Sequence, residues 1–197
     1  MVGLVLLAFL FLRFPLAGEQ VFAPIPAMCQ VYFSPKDDLA SRLVALIDEE
    51  RESIKSAIYC LTHSGIMNAL MRAHKRGVDV DLIIDPQSLK GHATLIKKMA
   101  ERQIPLRVWN GSPKIEGDQK KVKKSLMHDK FCIFGRDRVW TGSFNFTRGA
   151  TVSHCENAVV LQGAKIVDSF LEEFERIKQA HCVSYTHFIQ SKEQCGL

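Results

Sequence analysis

No apolar run in the 197-residue chain reaches the roughly 20 residues that a helix needs to cross a bilayer core. None of the six cysteines forms a C-x-x-C pair, which removes the commonest spacing of a zinc site. There is no internal repeat and no low-complexity tract, so repeat architectures are excluded. With 47% hydrophobic and 24% charged residues the chain is neither disordered nor fibrous, and its length suits one domain. The formal net charge of +5 and the pI near 8.9 are mildly basic. They are compatible with a polyanionic partner without selecting one.

Val2 to Leu12 is an uncharged apolar run, followed by Arg13 and then by Pro15, Gly18, Pro24 and Pro26. It is short for a membrane span and fits the apolar region of a secretory signal, with Ala17 and Ala23 as cleavage positions, although the usual basic residues before it are missing. An uncleaved membrane anchor and a buried strand or helix are the other readings. The expected organisation is a signal peptide or anchor over 1–26 and a single domain over 27–197. The expected location is secreted or periplasmic, alternatively membrane-anchored. The six cysteines (Cys29, Cys60, Cys132, Cys155, Cys182, Cys195) are an even count, as an oxidising compartment allows. Cys60 and Cys132 sit in apolar runs and read as buried thiols. Cys182 and Cys195 flank a tail that a disulfide would close, and no pairing can be assigned.

Helical and strand patterns alternate along the rest. Ser34-Pro35-Lys36-Asp37 has the form of a helix start, a serine cap with proline at the first helical position. Leu39, Leu43, Leu46 and Ile47 then recur at helical spacing. Ser56 to Thr62 reads as a short buried strand, Ile66 to Arg76 as a second helix stopped at Gly77, and Val78 to Asp85 as an alternating strand. Ala93 to Arg102 is a third helix and Pro105 to Trp109 a further strand. Phe131 to Phe134 and Arg138 to Ser143 are expected to pair around a turn at Gly135-Arg136-Asp137. Ala158 to Gln162 is another strand, and Lys165 to Ala180 a final helix. This order argues for a sheet with helices packed on its faces.

Between Asn110 and Ser125 the periodicity stops. Lys114 to Lys124 carries five lysines and two acids, a local net of +3. A charge run is ordinarily a solvated loop. Its place directly before the chemical motif makes Lys120, Lys121, Lys123 and Lys124 candidates for an arm that touches phosphates.

The chemistry is concentrated in Met127 to Asn157. His128 and Lys130 are two residues apart, so on a strand both project to the same face. Ser143 and Asn145 repeat that spacing in Thr141-Gly142-Ser143-Phe144-Asn145, and if the two strands pair, four polar groups converge. A phosphodiester gains negative charge on its equatorial oxygens as a nucleophile adds. Lys130 supplies a point charge there, and Ser143 and Asn145 supply neutral donors. An imidazole attacks phosphorus more readily when a carboxylate fixes its other nitrogen, and Glu156 is the candidate for that role. No carboxylate cluster suited to Mg²⁺ or Ca²⁺ lies nearby in the sequence. Trp109, Trp140, Phe144 and Phe146 are expected in packing rather than as stacking platforms. His63 is expected at the surface or lining the pocket, and His154 in a loop.

The segment resembles the HxK(x4)D…GSxN signature of the phospholipase D superfamily, in particular its small single-motif bacterial endonuclease branch. Phe33-Ser34-Pro35, the Ala57-Ile58-Tyr59 run and Arg76-Gly77-Val78-Asp79-Val80 before Asp85 extend the likeness to about residues 30–180. The resemblance implies an α/β fold with a mixed β-sheet flanked by helices on both faces, and metal-independent chemistry without a cofactor. It also implies His128, Lys130, Asn145 and Glu156 as the catalytic set. One departure is plain: the family's Asp falls at Gly135, and Asp137 is the nearest substitute. Superfamily members use two facing HxK motifs, whereas here His74-Lys75 is adjacent rather than spaced and the remaining histidines lack the lysine. The implied enzyme is a homodimer with one composite site, cleaving DNA or RNA non-specifically through a phosphohistidine. The alternatives are a phospholipid (cardiolipin-type) phosphodiesterase, with the N-terminal segment at a membrane, and a catalytically impaired nucleic-acid-binding dimer.

Overall fold

The computed structural model describes residues 29–90, 93–111 and 125–194. The expected signal or anchor, His92, Cys195 and the four candidate lysines of the basic arm lie outside the described residues. In chain order the elements are β1 (Cys29–Ser34), α1 (Leu39–Glu49), β2 (Ser53–Ile58), α2 (Ser64–Lys75), β3 (Asp79–Ile84), α3 (Ala93–Glu101) and β4 (Leu106–Trp109). They continue with β5 (Lys130–Phe134), β6 (Arg138–Gly142), α4 (Arg148–Val152), β7 (Glu156–Gln162), α5 (Ala164–His181), β8 (Cys182–Ser184) and α6 (Tyr185–Gln194).

All eight strands form one mixed sheet in the order β1-β7-β6-β5-β2-β3-β4-β8. β2, β3 and β4 are parallel, as strands joined through helices must be. The strands on either side of that block pair antiparallel. The centre of the sheet is covered on both faces, which is why β3 and β5 are buried almost throughout. On one face α1 and α2 press Leu39, Leu43, Ile47, Ile66 and Leu70 toward Ile54, Ile58, Leu82, Phe134 and Trp140. On the other, α5 places Val167, Phe174 and Ile177 over Ala57, Ile83, Phe131, Ile133 and Val139. Gly77 takes a φ of +91° at the end of α2, the left-handed stop read from the sequence. The β5–β6 hairpin forms as expected, with Phe134 opposite Arg138.

Two expectations need correction. Ser34 does not cap α1. It ends β1, and the cap is Asp38, whose carboxylate accepts from Ser41 N at 3.0 Å. The Ser34 hydroxyl is instead buried and committed elsewhere, donating to Ala150 O (2.8 Å) and His154 O (2.9 Å) and accepting from Glu156 N (3.3 Å). The second strand ends at Ile58 rather than Thr62, because Leu61 leaves the sheet to bridge Phe146. β1, α4, β8 and α6 were not read from the sequence at all. β1 is an edge strand exposed along most of its length, so its residues carry no alternation of polarity. Cys29, Cys60, Cys132, Cys155 and Cys182 are all free thiols, and burial drives the Cys132 thiol far above its ordinary range.

Ser34 ties α4 and the turn leading to Glu156 to the edge of the sheet. Ser34→Ala should lower stability by about 1–3 kcal/mol, the range for leaving buried partners unsatisfied. Urea unfolding of the variant beside the parent measures it, and an unchanged midpoint would show that these bonds are idle.

Candidate active site

Strand register brings the predicted residues to one end of the sheet. Phe131 stands opposite Thr141, and Gly142 opposite Ala158, so the start of β5, the end of β6 and the start of β7 are level. His128 and Lys130, Ser143 and Asn145, and Glu156 belong to those three ends.

The lead-in to β5 is pinned at three points. Trp109 Nε1 donates to Ser125 O at 3.0 Å, and Met127 N donates to the buried Asp85 carboxylate at 3.2 Å. Tyr59 N donates to Asp129 O at 2.9 Å, extending the β2–β5 pairing past Ile58. On this segment His128 is exposed while Lys130 is buried, with 8% of its surface left. The Lys130 ammonium donates to His128 O at 2.6 Å and lies 3.1 Å and 3.4 Å from the two imidazole nitrogens. The Tyr59 ring closes the group, 4.5 Å from the imidazole centroid and 5.3 Å from the ammonium. The two-residue spacing therefore does what alternation demands, and the intervening Asp129 is half-buried within the field of Glu173 and Arg176 on α5.

Burial holds the Lys130 ammonium below the ordinary lysine range, while Asp129, Glu156 and the Cys60 side chain pull it back up. Burial raises the Asp129 carboxyl, and Glu173 adds in the same direction.

The glycine of the second motif has a steric reason. Gly142 has a φ of +152°, and a Cβ there would overlap the Asn157 carbonyl oxygen. That close approach lets Asn157 O accept from both Ser143 N (3.1 Å) and Phe144 N (3.3 Å). The Ser143 hydroxyl donates to Glu156 Oε2 and accepts from Asn157 N at 3.0 Å. Asn145 keeps a buried amide oxygen with no hydrogen bond among the described residues, an unspent polar group at this end of the sheet. The Glu156 carboxylate is engaged by Ser143 and stands 3.8 Å from His154 Nδ1.

Tyr59 and Asp85 are site residues that the motif reading did not single out. Their signal was positional: each stands at or just past the end of an apolar strand, on the side where β5 begins. His63 is half-buried and caps α2 by accepting from Ile66 N at 3.3 Å. Trp140, Phe144 and Phe146 are core residues, as expected, and Trp109 is buried with its indole N–H spent on Ser125. Among the described residues no group of three or more His, Cys, Asp or Glu side chains could hold a metal ion.

Gly135 lies at the far end of β5 from Lys130, about 17 Å away at roughly 3.3 Å per residue. Its φ is +53°, and a side chain there would start 3.5 Å from Glu50 Oε1 and 3.6 Å from Glu52 Oε2. Glu50 is itself buried, accepting from Arg51 N and Glu52 N. A carboxylate therefore already occupies the surroundings of the position at which the family carries aspartate, and Asp137 points its side chain mostly to solvent.

Two outcomes follow for this end of the molecule and the other. Gly135→Asp should leave kcat unchanged and cost about 1–2 kcal/mol of stability, from the left-handed backbone and the facing carboxylates. A large gain in rate would show instead that the parent is impaired at this position. At the other end, substrate affinity should be full near neutral pH and fall as pH rises through the depressed Lys130 pKa, earlier than an exposed lysine allows. A KM that stays flat into the alkaline range, or an identical profile in Lys130→Arg, would contradict the assignment of that charge.

Comparison with known proteins fits this geometry. Residues 43–178 match the family model described as cardiolipin synthase, PLD-like domain. A phospholipase D from Rickettsia bellii is 31% identical over 142 residues, covering 72% of this chain and 65% of that protein. A mitochondrial cardiolipin hydrolase from Canis lupus familiaris is 29% identical over 181 residues, covering 91% of this chain and 66% of that protein. The chain thus spans just under two thirds of the length of these relatives. Among solved structures, the phospholipase D family member Nuc from Salmonella typhimurium aligns with a TM-score of 0.67 at 35% identity, covering 80% of this chain and 97% of Nuc. NucT from Helicobacter pylori aligns with a TM-score of 0.69 at 21% identity, a likeness of fold. With its HxK pair and its GSxN turn at one end of a shared mixed sheet, the chain belongs to the phospholipase D superfamily.

Proposed function

We propose that the chain is a metal-independent phosphodiesterase that cuts nucleic acid endonucleolytically, with His128 as nucleophile. The observation that carries this reading is the buried Lys130 ammonium held against an exposed His128 imidazole. Attack by the ring forms a P–N bond and expels one ester oxygen, which must take up a proton. Water then cleaves the phosphohistidine. Lys130 and the Asn145 amide stabilise the charge gathering on the phosphoryl oxygens, and Ser143, backed by Glu156, assists them. A single chain offers one such imidazole, so the second acid comes from a two-fold mate, and the active form is a homodimer with a shared site. The same contact would supply a group for the second nitrogen of His128, since Glu156 is engaged within its own chain. Nucleic acid is preferred because the net charge of +5 includes the lysine-rich 114–124 stretch that leads directly into His128.

A phospholipid diester is the second reading. The names of the rickettsial and canine relatives speak for it, as does the apolar Val2–Leu12 run, which would keep the chain at a membrane.

The purified chain should nick plasmid or single-stranded DNA or RNA in excess EDTA, and His128→Asn should lower the rate by roughly 10³-fold or more. Turnover of cardiolipin or phosphatidylcholine with nucleic acid left intact would favour the lipid reading. Binding without cleavage of either substrate would refute the catalytic reading. Sedimentation of the active species as a strict monomer would remove the second acid.

A further inference from the structure

We propose that a groove between α1, α2 and α4 holds a second phosphate of the nucleic-acid strand being cut, with Arg148 as its main contact and His63 beside it. The inference rests on the nuclease reading above and adds a subsite to it. Asp38, Val44, His63, Arg72, Arg148 and Val152 are among the residues that line a space of about 460 Å³.

The groove begins where the site ends. One wall is the connection that runs from Tyr59, against the His128 imidazole, to His63, the cap of α2. The other runs from Asn145 to Arg148, which opens α4. The two walls are joined. Thr62 N and His63 N both donate to Phe146 O, at 2.9 Å and 2.8 Å, and Leu61 bridges Phe146. Arg148 follows Asn145 by three residues, so their Cα atoms lie within about 11 Å of each other. A strand whose scissile phosphate meets Lys130 and Asn145 therefore has a neighbouring phosphate within reach of a long arginine side chain.

A surface arginine alone says little, but the groove leaves this one and its neighbour free for an anion. Arg148 is exposed, and its guanidinium forms no ion pair among the described residues. The other charges in the lining are already committed. Asp38 accepts from Ser41 N (3.0 Å) and Ser41 Oγ (2.7 Å), and Arg72 donates to Asp48 at 2.6 Å. His63 adds a neutral donor. Burial holds its ring below the ordinary histidine range; Asp38 pulls it up and Arg148 pushes it down. Its Nδ1 accepts from Ile66 N, so the proton of the neutral ring sits on Nε2, which is left to donate. A guanidinium with an N–H beside it suits phosphate oxygens, and Val44 and Val152 supply apolar lining for the attached sugar.

Two substrates separate the subsite from the chemistry: a single-stranded oligothymidylate, and bis(p-nitrophenyl) phosphate, a diester with no second phosphate. Arg148→Gln should raise KM for the oligonucleotide roughly tenfold, with kcat nearly unchanged, and leave turnover of the small diester as it was. His63→Asn, which keeps an acceptor at the helix cap, should raise the same KM about threefold. In the cleavage-deficient His128→Asn background, Arg148→Gln should flatten the slope of log affinity against log salt by about 0.7, the share of one phosphate contact on a single strand. Arg51→Gln removes the same charge at the Gly135 end of the fold and should leave that slope alone. An oligonucleotide KM unmoved in Arg148→Gln would overturn the subsite while the nuclease reading stands. So would an equal loss on both substrates, or equal flattening in Arg51→Gln. A parent that leaves oligothymidylate intact would overturn the nuclease reading, and the subsite with it.

Discussion

The site depends on keeping one ammonium group charged where water has largely been excluded. An isolated buried charge is costly, and a lysine so placed tends to give up its proton. Lys130 is spared by specific neighbours: the His128 carbonyl, the face of Tyr59, and the fields of Asp129 and Glu156. Each also fixes something else. The His128 carbonyl sets the backbone that carries the imidazole, Tyr59 walls that ring, and Glu156 braces Ser143. The charge that would meet a phosphoryl oxygen and the frame that aims the imidazole are thus one hydrogen-bonded unit, already organised before a substrate arrives.

The mixed sheet explains how so short a chain assembles that unit. Its parallel half ends in Tyr59 and Asp85, and both grip the segment that leads into β5. Its antiparallel half delivers Ser143, Asn145 and Glu156 from strands that run back and forth beside β5. The pairing of β2 with β5 joins the halves, so the site stands on their seam. Gly142 permits the last step, because any side chain there would hold β7 away from Ser143.

Much of this was legible in the sequence, for a physical reason. Alternation on a strand is local, so His-x-Lys and Ser-x-Asn each declare a shared face without knowledge of the fold. Helices with an apolar stripe and the buried parallel strands were equally readable. What failed depended on partners distant in the chain. Ser34 has the chemistry of a helix cap, but its hydroxyl finds two carbonyls more than 110 residues away, and Asp38 takes the cap. β1 pairs on one side only and is exposed along most of its length, so it has no polarity pattern to read. The bond from Ser143 to Glu156 likewise joins residues on separate segments, and no local spacing announces it.

Gly135 shows why a motif and a site are different things. Phe131 to Phe134 separate it from Lys130, so the aspartate position of the signature marks the opposite end of β5 from His128 and Lys130. Its turn packs beside Glu50, a buried carboxylate held by two backbone amides, and an aspartate at 135 would bring a second charge into that space. The departure from the family pattern is thereby matched by a neighbour that makes the usual residue unwelcome. A loss confined to that turn leaves the ammonium, the imidazole and the serine–glutamate pair untouched. Activity is therefore to be judged from those groups and from the dimer that would complete them, not from the letter missing at 135.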